Sequence, residues 1–153
     1  MRFGERIDDH LDMRSIHEAG HAIAAVHLGV GFSSSSVERG LLPRTGGYVM
    51  IDFPIHRNVR SIESFLIVLF AGASAADYIL KFDGAFYDAQ IAGDIKQIDS
   101  TVAAHRQLIP TNRRKTSVQE CRAKADKMVR LPAVEDAIKE CRETTVGPEK
   151  SVS

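Results

Sequence analysis

From about Val59 to Lys81 the chain is apolar on nearly every face of a helix, and the run Phe65 to Ala76 carries no charge between Glu63 and Asp77. A helix that is apolar all round has to be buried, in a protein core or in a membrane. The uncharged run is shorter than the roughly 20 residues a bilayer demands, so it reads as a central core helix. The remaining elements must then cover it. Asp9 or Asp12 is placed to cap a first helix that continues through HEAGHAIAAVHLGV to about Gly29, where Gly29 and Gly31 supply the stop. Ser33 to Ser36 reads as a polar connector. Ser36-Val37-Glu38 and Tyr48 to Ile51 read as two short strands, GLLPRTGG as the turn between them and Pro54 as the end of the pair.

Beyond the core helix, KFDGAFYDAQIAG reads as a loop up to Gly93. Ile95, Ile98, Val102 and Ile109 then recur at helical spacing, which puts Asp94 in or just before a first turn. Val118, Cys121, Ala125 and Met128 mark one face of a further helix, and Val134, Ala137, Ile138 and Cys141 one face of a last helix, with Pro132 between them. The expected fold is mostly α (α+β), with one small β-hairpin. Its 153 residues suit a single domain, with 1–8 and 147–153 as flexible ends.

Composition narrows the function classes. The apolar fraction is 44%, the charged fraction 26% and the net charge zero, with acids and bases interspersed. A nucleic-acid partner is not expected, because the basic footprint it needs is missing. MRFGERIDDH has no apolar core of a signal peptide, and no membrane segment is expected in the chain. The two cysteines, Cys121 and Cys141, are not in CxxC spacing and read as free, half-buried thiols, which suits a cytoplasmic location.

The chemistry is carried by His17-Glu18-Ala19-Gly20-His21, an HExxH pattern inside a strongly helical segment. Residues four apart on a helix differ by about 400° of rotation and about 6 Å of rise, so both imidazoles project from one face. That pair suits one tetrahedral metal ion, zinc above all, and Glu18 beside it suits the base that takes a proton from a water on the metal. A catalytic zinc usually has three protein ligands. The metzincin continuation is absent, and His27 lies about 120° off the ligand face, so it reads as an ordinary surface or core histidine. His56, Asp77, Asp83, Asp88, Asp94 and Asp99 remain as candidates. An acid at the start of a helix packed on the first helix favours Asp94, although an Asp there also serves as a plain helix cap.

HEAGHA, then AGASAAD at 71–77, then GDIKQ at 93–97 resemble the peptidase domain of the FtsH family of ATP-dependent zinc proteases. Tyr48 to Met50 within GGYVM and the last helix pair are similar in pattern to the same domain. The resemblance implies a helical zincin-type peptidase domain, zinc held by His17, His21 and Asp94, and Glu18 as general base. It implies a peptide or unfolded-protein substrate and allows a homo-oligomer, since the family assembles a peptidase ring. The family's second motif is GGRAAEE; here its arginine is lost from a run that includes Ser74, and the acid is Asp77. No GxxxxGK[ST] occurs in the chain, so any ATPase would act in trans. Tyr48, Val49 and Met50 are expected to form an exposed edge strand beside the metal, to which an extended peptide adds by main-chain hydrogen bonds.

Overall fold

The computed structural model describes residues 3–37, 47–51, 54 and 58–146. Among them the architecture is mostly helical: α1 (Phe3–Leu28), strands β1 (Phe32–Val37) and β2 (Gly47–Ile51), α2 (Val59–Ile79), α3 (Tyr87–Ile91), α4 (Ile95–Leu108), α5 (Arg114–Val129) and α6 (Pro132–Val146). Short 3-10 turns at Ala92–Asp94 and Thr111–Arg113 lead into α4 and α5.

α2 is the centre. It starts at a reciprocal cap, in which Ser61 N–H donates to Asn58 Oδ1 at 2.9 Å and Asn58 N–H donates to Ser61 Oγ at 3.2 Å. Every residue from Phe65 to Ala76 is then buried. α1, α5, α4 and α3 pack around it, while α6 lies mainly on α1. At 21 residues with a mean hydropathy of 1.5, α2 is long and apolar enough to cross a membrane, but 72% of its apolar window is buried inside the molecule. Fully burying Phe65, Leu66 or Leu69 is worth about 1.5–3 kcal/mol each, and all three are 0% exposed. That apolar surface is already consumed by the neighbouring helices.

α1 and α2 approach very closely where they meet. A Cβ on Gly20 would lie 2.8 Å from the Ala71 carbonyl oxygen and 2.8 Å from Ala75 Cβ, so only glycine fits there. Ala19, Ala24, Ala25, Ala71 and Ala75 continue the same small-residue contact. α1 ends at Gly29 in the left-handed region, φ 71°. Val30 N–H returns to Ala25 O at 2.8 Å and Gly29 N–H to Val26 O at 3.3 Å, the paired bonds of a glycine-terminated helix.

Several expectations change. α1 begins at Phe3, so Asp9 and Asp12 lie inside the helix and do not cap it, and residues 3–8 are helical. β1 covers the serine tract expected as a connector: it pairs antiparallel with β2 in the register Ser36↔Tyr48, Ser35↔Val49 and Ser34↔Met50, and the backbone ladder needs no apolar side chains. Glu38 of the first expected strand, residues 40–46 of the expected turn and residues 147–153 lie outside the described residues, and Gly47, read as part of that turn, is the first residue of β2.

The stretch read as a loop before Gly93 holds α3, a helix too short to show a period. On α4 the buried face is Ile98, Thr101 and His105, whereas Ile95 is 46% exposed. His105 satisfies one ring nitrogen with the Ser117 hydroxyl at 3.0 Å, which lets a polar residue take a core position. Neither cysteine is in a disulfide; Cys121 is fully buried rather than half-buried, and burial pushes its thiol up to about 12.

Candidate metal centre

Helical spacing sets His17 and His21 on the face of α1 that meets α2, and both are buried. Their rings stand edge to face with centroids 4.7 Å apart, and the two Nε2 atoms are 3.0 Å apart. Asp94 arrives from the far side of the sequence. It is the residue before the first turn of α4, and its side chain makes no capping bond to that helix. One oxygen, Oδ2, lies 2.8 Å from His17 Nε2 and 3.0 Å from His21 Nε2. The helix-cap reading of Asp94 is thereby set aside on geometry. α4 packs on α2 rather than along α1 as expected, yet its N-terminal end still brings Asp94 to both imidazoles.

The outer ring nitrogens decide what the inner ones offer. His21 Nδ1–H donates to the Val68 carbonyl oxygen at 2.9 Å, and His17 Nδ1–H donates to Gln90 Oε1 at 2.8 Å. With each Nδ1 committed as donor, a neutral imidazole turns a lone pair inward at Nε2. Two nitrogen lone pairs and a carboxylate oxygen then converge at 2.8–3.0 Å. Such a set repels itself unless protons or a cation sit within it. Around a tetrahedral zinc with bonds of about 2.0–2.1 Å the donor atoms would stand about 3.3 Å apart, so an ion needs an expansion of only a few tenths of an ångström. His17, His21 and Asp94 could therefore together hold a metal ion, and their spacing is within reach of tetrahedral zinc geometry.

Gly72 supplies the space. A Cβ there would lie 2.5 Å from His21 Nε2 and 2.8 Å from His17 Nε2, inside the cluster itself. α2 contributes an absence of side chain at this point and the Val68 carbonyl one turn earlier. Glu18, the residue after the first histidine, is half-buried. Burial pushes its carboxyl above the ordinary carboxylate value, and the electrostatic influence of His21 and His17 opposes that rise. Burial alone would also raise Asp94, but hydrogen bonds from His17 and His21 outweigh it and hold the carboxyl well below its usual range. For His21 burial works downward and is overcome by the bond to Asp94 and by the Asp94 and Glu18 charges, which raise it to about 9.

The other candidate ligands lie elsewhere. Asp77 Oδ1 accepts from Gly84 N–H at 2.7 Å and holds the turn after α2. Asp83, Asp88 and Asp99 are exposed, as is His27, and His56 lies outside the described residues. Ser74, within the small-residue run of α2, donates its hydroxyl to Asp126 Oδ1 at 2.6 Å and ties α2 to α5. Tyr48, Val49 and Met50 belong to β2, whose strand partner among the described residues is β1; both strands pack on α1. Gly72, Gln90 and the Val68 carbonyl escape sequence reasoning. AGASAAD displayed Gly72 as part of a small-residue run, but its facing partner becomes visible only in the packed pair. No family model matches the chain, and no curated protein or solved structure matches it either.

Two glycine substitutions should separate packing from metal binding. Gly20→Ala should lower the urea midpoint, since overpacking against a backbone oxygen costs about 1–3 kcal/mol and exceeds the helix-propensity gain of about 1 kcal/mol. Gly72→Ala meets only the ends of two side chains, so it should keep the fold while losing zinc by metal analysis. Zinc retained at full occupancy in Gly72→Ala would contradict the placement of the site.

Proton linkage gives a second test. In metal-free protein the raised His21 contributes stability that is complete below its ordinary 6.5 and lost as pH rises through about 9. Asp94, shifted the other way, contributes above its ordinary 3.8 and loses that contribution as pH falls below it. Metal binding requires His21 without its proton. The gain in Tm on adding zinc to chelator-treated protein should therefore grow between pH 6 and pH 9. A gain that is flat across that window would show that proton and metal do not compete at His21.

Proposed function

We propose that the chain is a metal-dependent hydrolase and, more particularly, a zinc endopeptidase domain of the FtsH type, with a helical zincin-type fold and a small β-hairpin. The observation that carries this reading is the convergence of His17 Nε2, His21 Nε2 and Asp94 Oδ2 with Glu18 next to the first of them. A purely structural zinc site is closed by four protein ligands, whereas three ligands beside a carboxylate suit catalysis. Zinc bound there supplies a Lewis acid for the scissile carbonyl and lowers the pKa of a water toward about 7.

The protein's own groups do the rest. Glu18 accepts the proton of the attacking water as the new C–O bond forms. It then delivers that proton to the departing amine nitrogen as the C–N bond breaks, which returns the carboxylate to its starting state. Its burial favours this role, since a base whose carboxyl sits above the ordinary value is better matched to neutral pH. His17, His21 and Asp94 hold the metal. The substrate is a peptide or an unfolded protein segment, delivered where needed by an ATPase in trans, and the domain works in the cytoplasm, singly or as a homo-oligomer. Tyr48, Val49 and Met50 hold the peptide along the outer edge of β2 by main-chain bonds.

Glu18→Gln should bind zinc normally and lose about 10²- to 10⁴-fold in casein or unfolded-peptide turnover, because a carboxamide accepts no proton. Asp94→Ala should lose zinc itself. Turnover by Glu18→Gln within a few-fold of wild type would sink the mechanism. Zinc binding with no turnover in either protein would favour a non-catalytic binding or regulatory module of the same fold.

The strand is tested separately. Val49→Pro removes one backbone N–H and should weaken turnover with zinc content unchanged, while Val49→Thr should keep most of it. Equal harm from both, or tolerance of proline, would remove the strand from substrate binding.

A further inference from the structure

His17 and His21 present equivalent nitrogens to the centre, but their outer nitrogens are held by very different groups. The partner of His21 is the backbone carbonyl of Val68, in the middle of the most buried helix. A carbonyl only accepts, so it fixes the proton of His21 on Nδ1 permanently. The partner of His17 is the side chain of Gln90, half-buried on the five-residue helix α3. A carboxamide has an accepting oxygen and a donating nitrogen at the same distance from its stem.

We propose that Gln90 is a positioning residue, which holds His17 in the one tautomer able to ligate a metal by accepting its Nδ1–H at 2.8 Å. The proposal rests on the metal-hydrolase reading of the site. With Gln90 Oε1 toward the ring, the proton is on Nδ1 and the Nε2 lone pair faces Asp94 Oδ2 and His21 Nε2. With the amide turned over, its NH₂ would donate to Nδ1 and the ring proton would move to Nε2. A proton there would occupy the space between three atoms that stand 2.8–3.0 Å apart, and His17 could no longer act as a ligand.

The short helix that carries Gln90 is anchored one turn earlier. Tyr87, one helical turn earlier on α3, is buried, with the Arg122 guanidinium 4.0 Å over its ring. α3 itself packs on α2, and Gln90 lies one helical turn beyond Tyr87. A glutamine rather than a carboxylate leaves the ring neutral and the metal's charge undiminished.

The test compares three proteins by zinc competition against a chromogenic chelator. The proteins are wild type, Gln90→Met, which keeps length without polarity, and Gln90→Glu, which can only accept. Gln90→Met is expected to bind zinc about 10- to 100-fold more weakly, and Gln90→Glu to bind within about threefold of wild type or more tightly. Thermal melting of the chelator-treated proteins, expected to coincide for wild type and Gln90→Met, separates this from loss of fold. Equal affinity of Gln90→Met and wild type would overturn the role of Gln90 and leave the metal site intact. Equal weakening by Met and Glu would also overturn it, because acceptance alone would then not be the property required. Failure of wild type to bind zinc would overturn the metal reading and this proposal with it.

Discussion

The close approach of α1 to α2 is the contact on which the rest depends. Gly20 lets the Ala71 backbone come within reach of α1, and Gly72, on the facing helix, leaves room for two imidazoles where a side chain would otherwise stand. Packing and chemistry thus share one crossing. The small residues that allow close packing in the core also create the space for three converging donor atoms. A Cβ at the two glycines would meet different atoms: the Ala71 carbonyl oxygen and Ala75 Cβ at Gly20, and the tips of the His17 and His21 rings at Gly72.

That crossing also accounts for the burial of the site. His21 is 2% exposed and His17 7%, so neither competes freely with water for its partners. A buried polar cluster is costly unless every group is satisfied. Here the outer nitrogens are satisfied by Val68 and Gln90, and the inner atoms only by each other with protons, or by a metal. The upward shift of His21 and the downward shift of Asp94 express the first solution. A divalent ion at the same point would satisfy all three donors at once, and it would displace the proton in doing so.

α2 shows how tertiary context settles an ambiguous helix. Length and hydropathy alone are compatible with a bilayer, and the same residues from Phe65 to Ala76 are those that α1 and α5 cover. Two polar groups within its buried run are engaged inside the fold: the Ser74 hydroxyl with Asp126 and the Val68 carbonyl with His21. A helix with such partners is bound to its neighbours by directional contacts as well as by area.

The sequence by itself determined the elements whose signal is local and periodic. The HExxH spacing requires both histidines on one helical face, α2 is apolar over too many turns to be anything but buried, and Asp94 falls at a helix start by the spacing of Ile95 and Ile98. What it left open was whatever depends on a partner distant in the chain. The Asn58 and Ser61 cap lacks the acid that usually signals it, α3 is too short to show a period, and the serines of β1 are held in a strand by β2 rather than by their own character. Gly72, Gln90 and the Val68 carbonyl become part of the site only when α2 and α3 are brought against α1, because a cavity and a hydrogen-bond partner are properties of two surfaces and cannot be read from either one alone.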